Sequence, residues 1–84
     1  MKITAKDRRK ACEAIVEVSN ELWAAMKVYP PFASPHEGYA IIKEELDELW
    51  AEVKRKPENR SKIRMRAEAK QVAAMAIRFM VDVL

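Results

Sequence analysis

The stretch SPHEGYAIIKEELDELWAEV, residues 34–53, decides the fold. It opens as a helix start. Ser34 supplies a capping hydroxyl, Pro35 suits the first helical position, and Glu37 stands where a capping box places its carboxylate. No breaker follows before Pro57, so the periodicity predicts a helix over about residues 35–56. Counting about 100° per residue from Glu37, Tyr39, Ile42, Leu46, Leu49, Trp50 and Val53 gather between roughly 120° and 220°. Glu37, Glu44, Glu45, Glu48 and Glu52 gather between roughly −20° and 80° on the same count. One side of this helix is apolar and the other is acidic.

On the N-terminal side, Cys12, Ile15, Val18, Leu22 and Met26 recur at helical spacing with Trp23 beside them, which predicts a helix over about residues 4–27. The run Tyr29-Pro30-Pro31-Phe32 ends it, because proline lacks a donor and pushes its predecessor toward extended geometry. On the C-terminal side, a short polar loop leads to Ser61, a capping residue for a third helix over about residues 61–83. From Val72 to Leu84 only Arg78 and Asp82 are charged, so this half calls for burial on more than one side. The expected fold is all-α: one domain spanning residues 1–84, an antiparallel bundle of three main helices. A second copy would complete it into a four-helix-type bundle, as homodimer or homotetramer.

Composition agrees with this reading. The chain has 84 residues, half of them hydrophobic, with one Gly and four Pro. A domain this short buries a modest share of its surface and usually needs a disulfide, a metal or a partner subunit. Cys12 is the only cysteine, which removes the first device and reads as a small buried hydrophobe. No segment has the apolar length of a membrane span, and a cytoplasmic protein is expected. The net charge of +3 is unevenly placed. Residues 1–10 hold five basic side chains against Asp7, residues 34–53 six acids against Lys43, and residues 54–66 seven basic side chains against Glu58. An acidic block between two basic ones argues against a nucleic-acid partner, which more often meets one continuous basic stripe.

Side chains three or four apart on a helix lie about 5–6 Å apart at Cβ, so Glu45, Glu48 and Glu52 form a contiguous acidic strip. The plain reading is a solvated face paired with Lys and Arg. Glu45, however, sits at the edge of the apolar arc. The third helix adds Glu68, with no other acid near it, in a polar line with Arg64, Gln71, Arg78 and Asp82. Oxygen ligands at this density suit a hard ion, Mg²⁺ or Mn²⁺. His36, the only histidine, reads as a helix-end residue or a substrate contact. Trp23 and Trp50 read as core.

The paired motif resembles the MazG-like all-alpha nucleoside triphosphate pyrophosphohydrolases, whose signature is Glu-x-x-Glu on one helix and Glu-x-x-Asp on the next. Glu45-Leu46-Asp47-Glu48, followed by Glu52, matches the first half, and Glu68-Ala69-Lys70-Gln71 the second. The resemblance covers about residues 34–82. It departs at Gln71, a neutral amide that can ligate through oxygen but adds no charge. The resemblance implies Mg²⁺-dependent hydrolysis of a nucleoside triphosphate to the monophosphate and pyrophosphate. It implies a metal site of Glu45, Glu48, Glu68 and Gln71, and catalytic roles for Glu45, Glu48 and Glu52, with Glu52 or Glu44 as added ligand or base. His36, Lys54, Arg64 and Arg78 would contact the substrate. The rival reading is a non-enzymatic helical module that dimerises through the third helix and binds a protein partner, its acidic face serving only solubility.

Overall fold

The computed structural model describes all 84 residues as three α-helices with no strand. These are α1 (Ala5–Val28), α2 (Pro35–Val53) and α3 (Lys62–Val83), with one 3-10 turn at Pro57–Asn59. The starts are chemically marked. Asp7 N–H donates to Thr4 Oγ1 at 3.0 Å, Glu37 N–H to Ser34 Oγ at 3.1 Å, and Arg64 N–H to Ser61 Oγ at 3.1 Å. The Glu37 carboxylate accepts from the Ala33 amide at 3.2 Å, one residue earlier than a capping box predicts.

α2 ends at Val53, three residues short of the expected Lys56. Pro57 explains it: Lys56 is driven to ψ 146°, and the chain must leave the helix before reaching it. Arg60 then folds back and donates through Nε to the Val53 carbonyl at 2.8 Å, satisfying one of the orphan groups at the helix end.

α3 is the central element. It packs against both α1 and α2, whose backbones make no close approach to each other. Arg66, Gln71 and Arg78 of α3 meet Glu17, Glu21 and Ala25 of α1 in the same order, so these two helices run parallel. Asp82 meets Phe32 at the start of α2 and Arg64 meets Glu52 near its end, so α2 runs antiparallel to α3. The core between them is thin: Leu22, Ala25, Phe32, Ala74 and Met75, with Val18, Ile41, Ile42, Phe79 and Val83 packed around it. No helix is long and apolar enough to cross a membrane.

The apolar arc of α2 does not face α3 squarely. Gly38, Ile41, Ile42, Glu45 and Glu52 lie toward α3 and its surroundings. On the helical count these occupy about 40° to 140°, the seam between the acidic and apolar sides. Tyr39, Leu46 and Trp50 consequently stay 64%, 51% and 59% exposed. Trp23 and Trp50 are therefore not core residues of one chain, and Cys12, expected to be buried, is exposed. Cys12 lies on the part of α1 that runs past the start of α3, where nothing is available to cover it.

Gly38 sets the rotation. A Cβ built there would stand 2.6 Å from Phe79 Cδ2 and 2.9 Å from Phe32 Cδ2, so two aromatic rings rest directly on the α2 backbone. In an exposed helix, Gly→Ala adds about 1 kcal/mol of stability. Here the methyl must displace both rings, and overpacking of this kind costs about 1–3 kcal/mol. Gly38→Ala is expected to lower the urea midpoint, and a raised midpoint would show that the rings yield freely.

Arg78 is the other fixed point. It is almost inaccessible, and its guanidinium donates from Nε to Asp82 Oδ2 at 2.9 Å, from Nη1 to the Ala25 carbonyl at 3.1 Å and from Nη2 to the Tyr29 carbonyl at 2.7 Å. Asp82 Oδ2 also accepts the Phe32 amide at 3.0 Å. One ion pair thus ties the last turn of α1, the connection to α2 and the end of α3 together.

Candidate metal centre

Glu45 and Glu48 stand one turn apart on α2, and the seam packing points them at Glu68 on α3. One carboxylate oxygen from each of the three lies within 4.8 Å of the others. Oxygens on opposite sides of an ion bound at 2.0–2.6 Å are about 4–5 Å apart, so this donor set fits a hard divalent cation with small torsional adjustments. Three carboxylates and no nitrogen or sulfur are the ligands Mg²⁺ and Mn²⁺ accept readily. Glu45 and Glu68 are half-buried, while Glu48 faces solvent.

Electrostatics records the crowding. The Glu45 carboxyl is held above its ordinary range, first because packing strips its water and then because the charges of Glu48 and Glu68 lie beside it. Glu68 is raised for the same leading reason, with Glu48 next. A carboxyl raised in the folded state binds its proton more readily folded than unfolded. Its contribution to stability is present below the unfolded value and is lost as pH rises through the folded one. Without divalent cation, the thermal midpoint is therefore expected to rise as pH falls from neutral toward the ordinary carboxylate range, and Glu68→Gln to flatten that rise. Glu17 opposes it only at lower pH, because its hydrogen bond to Arg66 holds it below the ordinary range. A midpoint that falls steadily from neutral pH would contradict the crowding.

The other expected site residues are not all gathered here. Glu52 is turned to arginines, 3.0 Å from Arg64 Nε and 3.4 Å from Arg55 Nε. Gln71, one turn after Glu68, donates from Nε2 to Glu21 Oε1 at 2.5 Å. Lys54 is exposed at the end of α2 and enters no ion pair, whereas Arg64 holds Glu52. His36 is exposed in the first turn of α2. Nine residues separate it from Glu45, about 13.5 Å of helix rise, and it lies on the opposite side of the helix. Arg78 is committed to the buried tie described above.

Beside the carboxylates opens a cavity of about 510 Å³ between α1 and α2, floored by α3. Glu45 and Gln71 border it, Ile41, Met75 and Phe32 give it apolar walls, and Glu21 enters from α1. Glu21 is absent from the sequence-based candidates. Its signal is a carboxylate three residues after Val18 and four before Ala25, on the stripe of α1 that packs inward.

No protein family, curated protein or solved structure was found to match this chain.

Proposed function

We propose that this chain is a Mg²⁺-dependent nucleoside triphosphate pyrophosphohydrolase, releasing monophosphate and pyrophosphate. One observation carries the reading: the two halves of the acidic motif, remote in the chain, present Glu45, Glu48 and Glu68 oxygens within 4.8 Å of one another. Glu45, Glu48 and Glu68 would hold the ion. Bound Mg²⁺ or Mn²⁺ supplies charge neutralisation of the phosphates and lowers the pKa of water. The half-burial of Glu45 and Glu68 strengthens every interaction of these carboxylates by excluding solvent. Glu44, one turn before Glu48 and in no ion pair, is the carboxylate available to take a proton from water. The uncommitted N–H groups of Arg64, one turn before Glu68, are the donors for the leaving pyrophosphate. The apolar cavity beside Glu45 accommodates the nucleoside.

The experiment is pyrophosphate release from a panel of ribo- and deoxynucleoside triphosphates with Mg²⁺ or Mn²⁺. It is accompanied by thermal shift with metal and a non-hydrolysable nucleotide, separately and together. The proposed activity requires metal-dependent release from at least one nucleotide, and stabilisation by the pair beyond that by either alone. No release and no joint shift would reject it.

The second reading, a non-enzymatic interaction module, is favoured by the exposed apolar side chains. Tyr39, Leu46 and Trp50 recur along α2, and Ile77, Met80 and Val81 lie exposed on α3. Both readings use this surface, and we infer that a second copy covers it, giving at least a homodimer. Light scattering at micromolar concentration is expected to give twice the monomer mass or more, and a stable monomer of 9.7 kDa would rule it out.

A further inference from the structure

Chain order sets the acidic α2 between two basic blocks, but the fold brings those blocks to one end of the molecule. Arg66, near the start of α3, is ion-paired with Glu17 of α1, and the two helices run parallel from there. The first twelve residues of α1 cover about 18 Å, so α1 extends past the start of α3 on the side where the chain turns from α2 into α3. Arg60 pins that turn to the end of α2. Residues 1–17 and 50–66, at or beyond the level of the Glu17–Arg66 pair, carry twelve basic side chains and five acidic ones, a net +7. The remaining residues carry four basic against eight acidic, a net −4, which together restore the chain's +3.

This excess is not consumed internally. Arg55, Arg64 and Arg66 are held by Glu52 and Glu17, but Lys2, Lys6, Lys10, Lys54, Lys56 and Lys62 are exposed and enter no ion pair. Lys6 and Lys62 also occupy the first turns of α1 and α3, where the helix dipole is already positive. Cations there work against helix stability, so the arrangement does nothing for the fold. Flexible, singly charged stems spread over three chain segments suit a regularly spaced polyanion and offer no planar fork for reading bases.

We propose that this basic end binds the phosphate backbone of nucleic acid without sequence preference. The inference is independent of the carboxylate cluster. Fluorescence anisotropy of labelled 20-nucleotide single strands and duplexes tests it with the full chain. Five phosphate contacts on a single strand give a salt slope of about −3.5, so affinity is expected to fall roughly a hundredfold between 50 and 200 mM salt. Lys6→Glu/Lys10→Glu and Lys56→Glu/Lys62→Glu, each folded by circular dichroism, are both expected to weaken binding tenfold or more. Lys27→Glu/Lys43→Glu, the same charge change away from this end, is expected to change it less than threefold. Absence of saturable binding at 50 mM salt, sensitivity in only one of the two blocks, or equal loss in the control overturns the proposal. So does binding to anionic phospholipid vesicles with none to nucleic acid.

Discussion

Replacing Arg78 by methionine is expected to abolish cooperative folding at room temperature or leave a protein barely stable. The side chains of Arg78 and Asp82 are 3% and 5% exposed, so deleting the cation strands a carboxylate out of water. It also removes the donors from the Ala25 and Tyr29 carbonyls. Breaking one partner of a buried pair costs about 3–5 kcal/mol, against about 5–15 kcal/mol for a whole domain. Arg78→Lys should rescue little, because an ammonium cannot reproduce the planar fork that reaches Asp82 and two carbonyls at once. Arg78→Met/Asp82→Leu should recover part of the loss, since no charge is then left buried. Recovery stays incomplete because the Phe32 amide has lost its acceptor. Urea denaturation followed by circular dichroism measures all three, and a stable, cooperative Arg78→Met protein would show that the tie is dispensable.

Glu48→Gln is expected to lower metal-dependent pyrophosphate release by about two to three orders of magnitude, the scale on which losing one preorganised charge-stabilising group acts. The fold should survive and gain slightly. Glu48 is exposed, and its removal relieves the charge that helps raise Glu45 and Glu68. Like-charge pairs one turn apart cost a few tenths of a kcal/mol. The informative result therefore has two readouts in one protein: a thermal midpoint equal to or above the parent's, and lost activity. Full activity in a well-folded Glu48→Gln protein would contradict the proposed ligand set. Gln71→Asp makes the complementary change, adding a charge one turn from Glu68 and beside Glu21.

The three helices, their capping residues Ser34 and Ser61, and the all-α class were legible in the sequence, because helix formation is decided within a few residues. The adjacency of Glu45 and Glu48 was legible for the same reason, being a spacing on one helix. Which side of α2 meets α3 was not. That depends on what the neighbouring helix carries: Phe79 and Phe32 seat on Gly38, and the missing Cβ rotates α2 onto its seam. The same rotation desolvates Glu45, brings it to Glu68 and leaves Trp50 outside. Arg78 reads from the sequence as one charge in an apolar helix. Only the tertiary structure assigns it to the carbonyls of Ala25 in α1 and of Tyr29 just after it, 53 and 49 residues away. Likewise two basic blocks separated by an acidic helix become neighbours because α1 and α3 run parallel, a relation between segments that periodicity within each segment cannot contain.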